Sequence, residues 1–131
     1  MISVEDFAVE AREWLAANKH LAPRDYGAIC PPDLVSEGLR WQKHLYESGK
    51  AGIHWPVEVG GQGLTPAHQA QWLFECALAG VPGVFNMVGL VLAGGAIQKF
   101  GTDEHKSRHL QATLRAEHVW CQLFSEPDHV E

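Results

Sequence analysis

The sequence predicts an all-α fold, a bundle of about five helices around a buried central helix, followed by one terminal β-strand. Three observations predict it. Four stretches carry apolar residues near helical spacing between recognisable start and stop signals. The stretch 84–97, with Val84, Val88, Leu90 and Leu92, is apolar nearly all round and uncharged, as a buried helix would be. Residues 118–124 alternate strictly and are rich in branched and aromatic side chains, as in a strand.

The first helix is expected from Val4 to about Asn18, because Ser3 followed by Asp6 resembles a capping box and Glu5 and Asp6 place negative charge at the positive helix end. Phe7, Ala11, Trp14 and Leu15 form its inward stripe. Two proline breaks make 20–32 an irregular connection. Pro31-Pro32-Asp33 opens a second helix carrying Leu34, Val35, Leu39, Gln42, Leu45 and Tyr46, which stops by Gly49. The glycine-rich run 49–64 shows neither period and reads as a structured loop around Trp55. It is no phosphate cradle, since no Lys-Ser/Thr follows Gly63 and no apolar strand precedes it. Thr65 and Pro66 start a third helix to about Ala79, with Ala70, Leu73, Phe74, Ala77 and Leu78 expected inward. Gly101 ends the central helix, and Thr102, Asp103 and Glu104 cap a fifth that ends near Arg115.

Composition narrows the function. Sixteen acidic side chains against ten basic give a net charge of −6 with no basic cluster, which disfavours nucleic acid and anionic membranes. The uncharged run 76–98 is broken by Pro82-Gly83, leaving about 14 helical residues where a membrane span needs roughly 20. Cys30, Cys76 and Cys121 are odd in number and unpaired in spacing, which points to reduced thiols and a cytoplasmic setting. The acidic first residues argue against a targeting peptide. His105 and His109 have the i, i+4 spacing of zinc ligands but no third ligand, so no metal site is assigned and a solvated helix face is expected. Cys121 near His118 would point to the opposite strand face, and Cys121 reads as a small buried hydrophobe.

Four segments in order carry a family resemblance: 41–52, the loop Trp55-Pro56-Val-Glu-Val-Gly60-Gly61-Gln-Gly63, Gly101-Thr102-Asp-Glu-His-Lys106, and Trp120-Cys-Gln-Leu-Phe-Ser125-Glu126-Pro127. Together they resemble the N-terminal part of the acyl-CoA dehydrogenase family. The resemblance implies a flavoenzyme of helical domain, β-barrel and helical bundle, using FAD to remove hydrogens from the α and β carbons of an acyl-CoA thioester in lipid or sterol catabolism. It implies that 1–117 is the helical domain and 118–131 the first strand of a β-domain otherwise missing. Gln122, Phe124 and Ser125 match flavin-contacting positions. Val84, Val88 and Leu92 match the helix that flanks the acyl chain, where simple core packing is the competing explanation.

The family continues its Ser/Thr-Glu-Pro with Gly-Ala-Gly-Ser-Asp, whereas Pro127 is followed here by Asp128-His129-Val130-Glu131. No catalytic residue is assigned: the family's glutamate base lies much later, and neither Glu126 nor Glu131 replaces it. The expectation is therefore a domain inactive alone, either a fragment of a longer enzyme or a subunit completed by another chain, with a homo-oligomer or a completing chain as its partner. The alternative is a non-enzymatic helical interaction module derived from the same family.

Overall fold

The structure, a computed structural model, describes residues 1–128. The end of the expected second domain, 129–131 with Glu131, lies outside them. Among the described residues the chain is helical: α1 (Val4–Asn18), α2 (Val35–Glu47), α3 (Pro66–Ala79), a π-helical turn (Gly89–Ala93) running directly into α4 (Gly94–Phe100), and α5 (Asp103–Leu114). Short 3-10 turns, Lys19–Leu21, Pro32–Leu34 and Val57–Val59, punctuate the connections.

The start signals act as the sequence implies. Ser3 Oγ accepts from the Asp6 amide at 3.0 Å, and Thr65 and Thr102 each cap their helices. In both threonine caps a histidine three residues on returns the bond, His68 Nδ1 accepting from the Thr65 amide and His105 Nδ1 from the Thr102 amide. His68 Nε2 then donates to the Ile2 carbonyl at 2.8 Å, tying the first residues to α3.

α1 packs along α3, while α5 lies against α4, α2 and the Val57–Val59 turn. Leu15, Trp41, Leu45, Ile53, Trp55, Trp72, Leu110 and Leu114 fill the core between them. The 49–64 loop is structured as expected. It buries Ala51, Ile53 and Trp55 and closes on itself, with the Gly63 amide donating to the Trp55 carbonyl at 2.8 Å and the Leu64 amide to that of Ile53 at 3.1 Å.

Three sequence expectations change. First, α3 buries the other face: His68, Trp72, Glu75 and Cys76 point in, while Leu73, Phe74 and Leu78 are exposed. Trp72 meets Trp14 edge to face, and Arg12 Nε grips both Glu75 oxygens at 3.1 Å, so a stripe containing one carboxylate outcompetes a wholly apolar one. Second, the central helix is neither buried all round nor as early as Val84. Residues 82–86 form an extended strap, pinned by Trp41 Nε1 donating to the Pro82 carbonyl at 2.9 Å and the Asn86 amide donating to Gln42 Oε1 at 2.7 Å. Gly89 and Gly94 turn inward, and Met87, Val91 and Leu92 face out. Third, 118–126 forms no ladder, because no second strand exists among the described residues to supply its hydrogen bonds. Cys121, expected to be buried, is consequently exposed.

Candidate acyl-binding groove

The outward apolar faces of α3 and of the strap and π turn border two adjoining grooves. One, of about 840 Å³, runs between the strap, α3 and the exit segment, walled by Cys76, Val84, Met87, Val88, Val119 and Trp120. The other, of about 640 Å³, is walled by Trp55, Val84, Met87, Leu90 and Val91, with His54, Gln69, Gln98 and Lys99 at its rim. Leu73, Gly83, Val84 and Met87 line both, so the two are halves of one apolar trough with a polar border at one end. Its dimensions and lining suit a small-molecule site with an apolar body.

Of the residues the sequence singled out, Val84 and Val88 line this trough. Leu92 lies on the outer side of the π turn, about half exposed, and lines neither groove. Gln122, Phe124 and Ser125 are all exposed on the exit segment. Gln122 and Ser125 offer hydrogen-bonding groups and Phe124 a stacking face, but these exposed side chains do not enclose a flavin.

The titratable groups near the trough are set against charge. Burial, with the neighbouring Glu75 carboxylate, pushes the Cys76 thiol up to about 12, so it stays protonated and is no nucleophile. Burial and the adjacent Cys30 likewise hold the Tyr26 hydroxyl well above its usual range. Away from the trough, His105 completes the capping box that Thr102 opens on α5, and His109 Nδ1 faces His118 Nδ1 at 3.2 Å, so the solvated face expected for this pair is only partly realised. Among the described residues no three histidine, cysteine or carboxylate side chains converge as metal ligands.

The residues that sequence reasoning missed are polar. Gln42, Asn86 and Thr113 are each at least 98% buried and bond one another between α2, the strap and α5. The one signal was Gln42 standing at an inward helical position between Trp41 and Leu45.

The sequence matches the description "Acyl-CoA dehydrogenase, N-terminal domain" over residues 5–117. The chain belongs to the acyl-CoA dehydrogenase family. It is 35% identical to acyl-CoA dehydrogenase IpdE1 of Mycolicibacterium smegmatis, over 98% of this chain and 34% of that protein. Among solved structures it resembles the Tcur3481-Tcur3483 steroid ACAD G363A variant, with a TM-score of 0.73 and 26% identity over 95% of this chain and 32% of that one. The ChsE4-ChsE5 complex of Mycobacterium tuberculosis matches with the same TM-score of 0.73 at 25% identity, over 98% of this chain and 32% of that one. The chain thus spans about a third of the length of the curated relatives first matched. No helix among the described residues is long and apolar enough to cross a membrane.

Proposed function

We propose that this chain forms the acyl-binding wall of a flavin-dependent acyl-CoA dehydrogenase whose substrate is a thioester with a bulky, steroid-like acyl group. The observation that carries the reading is the trough shared across Leu73, Val84 and Met87, mostly apolar, with His54, Gln69, Gln98 and Lys99 at the rim of one lobe and Tyr26, Cys30 and Asn86 on the other. Its two adjoining lobes together offer room for a bulky hydrocarbon. The relative described as a steroid ACAD supports that choice of acyl group, and a two-component relative supports completion by a further polypeptide.

In this reading Val84 and Val88 touch the hydrocarbon, while Gln122, Phe124 and Ser125 supply one edge of the FAD site. The base that takes the α proton and the remaining flavin contacts are not supplied by these residues, so this domain by itself performs no dehydrogenation. The three cysteines, all free thiols, support a cytoplasmic setting.

The test is a titration of the chain with a steroid-side-chain acyl-CoA, a straight-chain acyl-CoA and free CoA, followed by tryptophan fluorescence, since Trp55 and Trp120 both line the trough. Saturable changes with the acylated ligands, strongest for the steroid and lost in Val84→Asp, are expected. The same response to free CoA, or none to any ligand, would contradict the reading.

A further inference from the structure

We propose that Asn86 is a positioning residue that latches the exit segment 118–120 to the strap bordering the trough. Asn86 is 2% exposed, and its side-chain amide is fully engaged. Nδ2 donates to the Thr113 carbonyl at 3.0 Å and to the His118 carbonyl at 2.6 Å, while Oδ1 accepts from the Trp120 amide at 3.1 Å. That set fixes the orientation of the amide, because a flipped one would turn its oxygen on two carbonyls and its nitrogen on an N–H.

The anchor beneath it is equally committed. The Asn86 backbone amide donates to Gln42 Oε1, and Gln42 Nε2 donates to the Thr113 and Leu114 carbonyls at 3.2 and 2.9 Å. A second strand of the latch runs through Thr113, whose hydroxyl accepts from Trp120 Nε1 at 2.9 Å and donates to the His109 carbonyl at 2.7 Å. The exit segment has no ladder partner among the described residues, so these contacts on both sides of one side chain set where it leaves the helices.

Asn86, Val119 and Trp120 also border the larger groove, so the latch joins one wall of the trough to the segment that continues into Gln122, Phe124 and Ser125. That last consequence rests on the flavin reading of those three residues, whereas the latch itself does not.

The test is site-resolved amide exchange by NMR on the full chain. In the unaltered protein the Trp120 amide should exchange at least about tenfold more slowly than those of its neighbours Val119 and Cys121. Asn86→Asp keeps the shape and the acceptor but turns a carboxylate oxygen on the His118 and Thr113 carbonyls, and it should remove that protection. The indole signals of Trp14, Trp41, Trp55 and Trp72 report the helical core and should keep theirs. Thr113→Val should release the Trp120 indole, and Thr113→Ser should restore it. Equal exchange at 119, 120 and 121 in the unaltered chain, or unchanged Trp120 protection in folded Asn86→Asp, would overturn the proposal. Neither outcome depends on acyl-CoA or flavin binding, so the latch and the proposed function fail separately.

Discussion

Trp55 lies against the backbone of Gly94 so closely that a side-chain carbon on that glycine would collide with the six-membered edge of the indole. The contact joins the glycine-rich loop to the first residue of α4 and backs the smaller lobe of the trough. Gly94→Ala is expected to destabilise the chain by about 1–3 kcal/mol, the usual cost of overpacking. Gly95 is the control, for nothing lies within 4 Å of its added carbon. Gly95→Ala should be neutral or stabilising by up to about 1 kcal/mol through helix propensity. Urea unfolding of the two variants measures the difference, and equal effects would contradict the packing described.

The Arg12–Glu75 pair joins α1 to α3 with very unequal exposure, 60% for the arginine side chain and 2% for the glutamate. Removing the arginine strands a buried carboxylate that retains only Gln71 Nε2 at 2.9 Å. Arg12→Met should cost about 1–3 kcal/mol, whereas the double change Arg12→Met with Glu75→Met should recover most of that loss. A double-mutant cycle by chemical denaturation checks it, and strict additivity would count against the pairing.

How much of this was legible in sequence depends on what kind of signal carried it. Ser3, Thr65-Pro66, Thr102 and Gly49 are short-range devices whose chemistry is written in adjacent residues, and each acts where expected. The burial face of α3 was not legible because both its faces can pack. Its choice is made by Arg12 and Trp14, more than fifty residues away. The start of the central helical run, at Met87 and not Val84, was hidden for the same reason, since Gln42 and Trp41 of α2 hold the 82–86 strap out of the helix. Val84 and Val88 were singled out by the family resemblance, and their apolar character suits a core and a ligand wall alike. Asn86 gave no local sign, because a lone asparagine before a helix ordinarily reads as a cap.

His109 has its pKa lowered by desolvation and then by the nearby charges of His118, Arg108 and His105. A histidine whose folded pKa lies below the unfolded value of 6.5 opposes protonation in the native state. Stability is therefore expected to fall as pH drops through and below that value, and the dependence should be shallower in His118→Gln. Melting temperatures from pH 5 to 7.5 give the comparison. Steeper loss in the variant, or greater stability at pH 5 than at 7.5 traceable to this pair, would contradict the sign.

The exit segment exposes 84% of Leu123 and 77% of Phe124, and α3 exposes Leu73, Phe74 and Leu78 as well. Full burial of such side chains is worth about 1.5–3 kcal/mol each. The chain is accordingly expected to self-associate at high concentration when no completing polypeptide is present, and Phe124→Asp should weaken the association. Sedimentation equilibrium showing a strict monomer for both proteins would rule this out.

The central claim is that the trough built on Leu73, Val84 and Met87 receives the acyl group of a CoA thioester. Methyl-resolved NMR of the chain labelled at valine and leucine, with a steroid-side-chain acyl-CoA added to saturation, tests it most directly. The account predicts shifts at Leu73, Val84, Val88 and Val91, with the core methyls of Leu15, Leu45 and Leu110 unmoved. Saturating ligand that leaves those trough methyls unshifted, or shifts confined to Val9 and Leu21, which line neither groove, would contradict it.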